Sequence, residues 1–147
     1  MLYPVLKHAH SVIRWLLITG LLSSVMVALY CIYRKKSPEL LGAVLSRLTV
    51  YIAHLQLIIG ILLYLISPKV VFSSASMSSP ILRFYLVEHV SVMLVVVVLI
   101  TWDYLRMKKT GSVIHSARKI FWYYLISLIL TLALIPWPFM SLGGQWY

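Results

Sequence analysis

The sequence predicts an all-α integral membrane protein, an antiparallel four-transmembrane-helix bundle with both termini on the outer, periplasmic side. Three observations carry that prediction. Of 147 residues, 62% are hydrophobic and 11% are charged, and the mean hydropathy is +0.96, too apolar for a soluble domain of this size. Four apolar stretches approach the roughly 20 residues that a helix needs to cross about 30 Å of hydrocarbon. The short connections between them carry a lopsided distribution of charge.

The helices are expected at about 5–33, 43–66, 80–106 and 119–136, all within one membrane domain covering 1–147. Pro4 and Pro80 suit first-turn positions on the outer side, where a missing N–H costs nothing. Pro68 and Pro136 end the second and fourth helices, and Pro38 falls in the loop after the first. The fourth stretch is the shortest, but Trp122, Tyr123 and Tyr124 at one end and Trp137 at the other mark it as an aromatic belt would. Backbone groups in lipid must be satisfied within the segment, so these are helices, and they are too long and uniformly apolar for barrel strands. The serine-rich run from Phe72 to Ser79 reads as a mobile outer loop.

Arg34, Lys35, Lys36 and Arg47 follow the first helix, and Arg106, Lys108, Lys109, Arg118 and Lys119 follow the third. The loop after the second carries only Lys69, and the tail beyond Pro136 carries no charge. By the positive-inside rule the basic loops face the cytoplasm of a bacterial inner membrane. The net charge of +10 is then a matter of topology and anionic lipid headgroups, and no nucleic-acid partner is needed to explain it. The first helix lacks a small-x-small cleavage site and runs straight into the basic cluster, so it reads as a retained anchor. Cys31 stands alone, which leaves no partner for an intrachain disulfide or a cysteine metal cluster, and it reads as filler.

Function is carried by the polar residues inside these segments. An imidazole in hydrocarbon must find a partner, which makes His10, His54 and His89 site candidates, with Arg14 and Glu88 the deepest-placed charges beside them. At about 1.5 Å per residue, His10 lies about 9 Å along its helix from Pro4 and His89 about 13.5 Å from Pro80. Both enter from the outer side, on parallel helices that are either diagonal or adjacent. His54 lies about 21 Å back from Pro68, nearer the middle or the cytoplasmic half.

That arrangement suits a bis-histidine haem, whose iron takes two imidazoles from facing helices. Leu82, Leu86, Val92, Met93 and Val96 offer apolar walls on or next to the face of His89, and Arg14 and Arg83 could reach the propionates. The alternative for Arg14 is an ion pair with Glu88. His8 lies at the headgroup level and His115 in a basic loop, so both read as solvated.

The second helix is ambiguous. His54 shares a face with Val50, Leu57 and Ile61, whereas Gln56 lies about 200° away with Thr49, Ala53, Gly60 and Tyr64. Either residue could face a ligand while the other serves packing, and His54 could replace His10 as partner to His89. The face from Thr49 to Tyr64, and Gly20, Ser23 and Ser24, also offer contact surfaces between copies. Trp146 and Tyr147 could anchor the tail at the outer interface.

The runs HAHSVIRWLL, HLQLIIGILLYLISPKVV, ILRFYLVEHVSVM and IPWPF together resemble a family of small bacterial four-helix membrane proteins labelled cytochrome b. The likeness spans nearly the whole chain. It implies haem b at some pair among His10, His54 and His89, with Arg14, Trp15 and Glu88 in support, but no defined reaction or substrate. The expected function is electron transfer, with a quinone as a possible second ligand and a larger respiratory or photosynthetic complex as protein partner. The alternatives are a cofactor-free accessory subunit of such a complex, a small oxidoreductase resembling the four-helix protoporphyrinogen oxidase, and three histidines binding copper or another ion. The oxidoreductase family's Leu-Pro-Arg run after the first helix is absent here.

Overall fold

Long runs of leucine, isoleucine and valine without internal proline propagate as helix, and the computed structural model, which describes residues 2–35, 40–110 and 114–142, is built almost wholly of them. Helix α1 spans Leu2–Arg34, and Lys35 ends it in the left-handed region at φ 52°. Helix α2 spans Leu40–Ile66 and stops ahead of Pro68. Helix α3 opens as Pro80–Arg83, passes through a π-helical turn at Phe84–Glu88 and continues as His89–Thr110. Its first turn has Pro80 at the start and Ser79 as N-cap, whose hydroxyl accepts from the Leu82 amide. Helix α4 spans Ile114–Ala133.

Among the described residues, the segments Leu2–Arg34, Leu41–Ile66 and Pro80–Lys109 are long and apolar enough to cross a membrane, which makes this a membrane protein. Their outward faces agree. Leu22, Met26, Ile58, Val98 and Trp102 are all exposed, and a soluble monomer rarely shows so much apolar surface. Helix α4 ends at Ala133, short of Pro136, because neither Pro136 nor Pro138 can donate the next backbone hydrogen bond.

Helix α1 packs against α2 and α4, and α3 packs against the same two, so α1 and α3 are diagonal. Leu17, Leu21, Ala53, Ile100, Tyr124 and Leu128 fill the centre. A close approach lies at Gly20 of α1, where an added Cβ would come within 2.8 Å of the Thr49 hydroxyl on α2. Gly20, Ser24 and Thr49 are therefore used inside the chain rather than between copies. Ser24 and Thr49 are buried and donate to the Gly20 and Leu45 carbonyls of their own helices, the usual solution for hydroxyls in an apolar bundle.

The serine-rich segment is built rather than loose. Ser74–Ser78 forms a 3₁₀ turn in which Ser76 is buried and donates to the Val71 carbonyl over 2.7 Å. At the opposite, basic end, the Asp103 side chain is fully buried and paired with Arg106, whose guanidinium also lies 6.0 Å from the Tyr123 ring centre. Lys36, Pro38, the tail from Gly143 with Trp146 and Tyr147, and the His115 side chain lie outside the described residues.

Candidate functional site

The end at which α1 and α3 start and α2 and α4 finish contains a cavity of about 370 Å³, within the range of about 300–1,000 Å³ usual for small-molecule and cofactor sites. Each helix contributes to it at a spacing its own periodicity sets. On α1 the face is Lys7, His10, Ser11, Arg14 and Leu17; on α2 it is Ala53, Gln56, Gly60 and Tyr64. Helix α3 supplies His89, Met93, Val96 and Val97, and α4 supplies Thr131, with Ile135 and Pro136 just beyond it. The charged residues of this lining are Lys7, Arg14 and Lys69, all basic, and no acid is among them.

His10 and His89 thus both line one cavity, from diagonal helices, and Arg14 lines it with them. The π turn immediately before His89 sets its direction. The His89 amide donates to the Phe84 carbonyl five residues back, and the Phe84 ring, itself buried, lies 5.8 Å from the imidazole. Such turns insert one residue into a helix and re-aim the side chains beyond it, and they recur at functional sites. Tyr64 of α2 steadies the same turn by donating to the Leu86 carbonyl over 3.0 Å.

His89 Nδ1 lies 2.7 Å from the Leu134 carbonyl, which can only accept, so Nδ1 carries the proton and Nε2 keeps its lone pair. The carbonyl is available because the residue four further on is Pro138. The same logic holds two residues earlier. Pro136 leaves the Leu132 carbonyl without a helical donor, and the Trp137 indole N–H takes it at 2.9 Å. The closing IPWPF run, read from sequence as a helix end, therefore also presents an acceptor to a half-buried histidine.

His10 is held differently. Gln56 donates through Nε2 to the His10 backbone carbonyl over 3.0 Å, while His10 Nδ1 and Gln56 Oε1 are both buried and without a hydrogen-bond partner. Gly60 leaves room for the ring, since a Cβ there would lie 3.4 Å from His10 Cε1. The ambiguity on α2 is thereby resolved. Gln56 faces the cavity, and His54 lies outside its lining with Nδ1 bonded over 2.8 Å to the Val50 carbonyl of its own helix.

The supporting residues separate. Arg14 is buried and lines the cavity, with its guanidinium 5.5 Å from the Trp15 ring centre. Trp15 itself is 42% exposed and lies 6.1 Å from the Trp137 ring, outside the lining. Glu88 does not pair with Arg14. It pairs with Arg83 over 2.7 Å, both side chains are more than 40% exposed, and neither lines the cavity. The wall residues Met93 and Val96 face the cavity, whereas Leu82, Leu86 and Val92 do not.

Sequence reasoning passed over three features of this end: Thr131, Tyr85 and the second role of Lys69. The Lys69 ammonium donates to the Tyr85 hydroxyl at 3.2 Å and to the Leu142 carbonyl at 3.4 Å, and Tyr85 donates to the same carbonyl at 3.1 Å. That set ties the segment after α4 to two residues of the cavity lining. No family model, curated protein or solved structure matches the chain.

Proposed function

We propose that this chain is a four-helix protein of a bacterial inner membrane, with both termini on the outer face, that holds haem b between His10 and His89. In this reading it carries electrons as a small subunit of, or partner to, a larger respiratory or photosynthetic complex. The observation that carries the proposal is the pair of imidazoles on diagonal helices at one apolar cavity whose only charged lining residues are basic. Two imidazoles are the donor set of a low-spin b-type centre, and basic side chains complement its two carboxylates.

The residues fit the group on several counts. His89 already has the orienting acceptor that a ligating imidazole needs, and its Nε2 is the atom left to bind a metal. His10 lines the same cavity from the diagonal helix. Arg14, buried beside it, would hold one propionate, and Lys7 or Lys69 nearer the mouth the other. Met93, Val96, Val97 and Ile135 would exclude water from the macrocycle. A haem bound there supplies one-electron redox chemistry at its iron.

The orientation rests on charge. Arg34, Lys35, Arg106, Lys108, Lys109, Arg118 and Lys119 all lie at the end opposite the cavity, which favours that end as cytoplasmic and the cavity as periplasmic.

The deciding experiment is a reduced-minus-oxidised absorption spectrum of the protein purified from haem-replete membranes. Sharp b-type bands are expected, and they should vanish in His89→Ala and in His10→Ala while the helical content stays unchanged. A colourless wild-type preparation would overturn the proposal.

A further inference from the structure

His89 has its orienting acceptor in the Leu134 carbonyl, whereas the comparable nitrogen of His10 has none, although it is buried in the same cavity. One other side chain at the α1–α2 contact carries an acceptor with the same deficit. Gln56 Oε1 is buried and unpartnered while its own Nε2 is fixed 3.0 Å from the His10 backbone carbonyl. Because that carbonyl can only accept, the assignment of nitrogen and oxygen in the Gln56 amide is set by the contact itself. A donor-capable ring nitrogen and an amide oxygen are therefore left over on two residues that the Gln56–His10 bond already holds together.

Gly60 fixes which edge of the ring is concerned. It stands one turn beyond Gln56 on the same face of α2, and a Cβ built there would lie 3.4 Å from His10 Cε1 and 3.9 Å from Nδ1. The Nδ1–Cε1 edge of the ring thus lies against α2, the helix that carries Gln56. Helix packing alone would be served by any side chain filling this space. A carboxamide that donates to α1 and keeps an acceptor in reserve beside an imidazole does more.

We infer that Gln56 is the positioning residue of His10: its Oε1 accepts the His10 Nδ1–H, which holds the ring in the Nδ1–H tautomer and directs Nε2 at the ligand. The inference rests on the haem reading for the identity of the ligand, but the contact itself is a property of the protein. With it, the two imidazoles are oriented by unlike acceptors, a backbone carbonyl for His89 and a neutral side-chain amide for His10. Only the second acceptor is itself a side chain.

The test combines a measurement on metal-free protein with one on loaded protein. In ¹⁵N-histidine spectra of the full chain in lipid nanodiscs, wild type should show His10 as the Nδ1–H tautomer, assigned by its loss in His10→Ala. Gln56→Met, similar in length but without an acceptor, should lose that preference, and Gln56→Glu should keep it. In the loaded protein Gln56→Glu should lower the midpoint potential, because a stronger acceptor makes the imidazole more electron-rich, whereas Gln56→Met should raise it or free His10 from the iron. A purely structural Gln56 would lower stability in both variants without moving the potential in opposite directions. A His10 tautomer unaffected by Gln56→Met overturns the inference. A colourless wild type would sink the haem reading alone, since the tautomer measurement decides the Gln56 contact in either case.

Discussion

The Nδ1 proton of His89 is donated over 2.7 Å to the Leu134 carbonyl, and that carbonyl is free because Pro138 stands where the next helical donor would be. A proline normally read as a stop signal thus doubles as the means of presenting an acceptor to a residue 45 positions earlier in the chain. Restoring the donors should undo this. In Pro136→Ala/Pro138→Ala, α4 is free to continue, and the Leu132 and Leu134 carbonyls bond along the helix instead of to Trp137 and His89. The loss of this part-buried hydrogen bond to the imidazole corresponds to about 1 kcal/mol. The expected outcome is more helix by circular dichroism, a Trp137 emission shift and a loosened His89 tautomer in ¹⁵N spectra. Unchanged Trp137 and His89 signals would contradict it.

Gly20 and Thr49 set the distance between α1 and α2. A Cβ at position 20 would approach the Thr49 hydroxyl to 2.8 Å, inside any allowed contact, and both elements are long rigid helices that cannot yield locally. Gly20→Ala should therefore destabilise by about 1–3 kcal/mol through overpacking. Thr49→Ala removes the atoms that clash, so Gly20→Ala/Thr49→Ala should recover much of the loss. Stability would be measured by detergent-induced unfolding, and a double variant no better than Gly20→Ala would show that the contact is not limiting.

These two relationships also show what a sequence can disclose in a protein of this kind. The helices, their order and the common depth of His10 and His89 follow from apolar run length and from counting residues back to prolines, because a helix in lipid has one permitted geometry. The choice between His54 and Gln56 does not follow. Both lie on apolar helix, and only the opposing Gly20 and the ring of His10 show that the small-residue face of Thr49, Ala53 and Gly60 turns inward. The Arg83–Glu88 pair was hidden by the π turn, since residues five apart on an α-helix stand about 140° apart and only the inserted residue brings them together. Asp103 was masked by its basic neighbours, although an acid three residues ahead of Arg106 at the close of an apolar run was a legible signal.

His54 should prove dispensable to the site. Its ring nitrogen is satisfied by the Val50 carbonyl of the same helix, and the residue lies outside the cavity lining. His54→Ala should leave any b-type bands at wild-type intensity and change stability by no more than about 1 kcal/mol, since a better helix former replaces a locally bonded one. Loss of the bands in this variant, with His10→Ala retaining them, would move the proposed ligand set to His54 and His89.

Two ion pairs among the described residues should behave oppositely. Arg83 and Glu88 are each more than 40% exposed, so Glu88→Gln should cost no more than about 1 kcal/mol. Asp103 is fully buried and its partner Arg106 is only 23% exposed, so removing the carboxylate takes the paired negative charge from a largely buried guanidinium. Asp103→Ala should cost about 3 kcal/mol, at the low end for a broken buried pair because Arg106 keeps some contact with its surroundings. Replacing both partners with apolar residues of similar volume, Asp103→Leu/Arg106→Met, should restore much of the loss, since desolvation of two charges nearly cancels their attraction. The double-mutant cycle reads this directly. If the double variant is as unstable as Asp103→Ala, then the carboxylate does something other than neutralise Arg106, and the unpartnered Asp103 Oδ2 becomes the atom to explain.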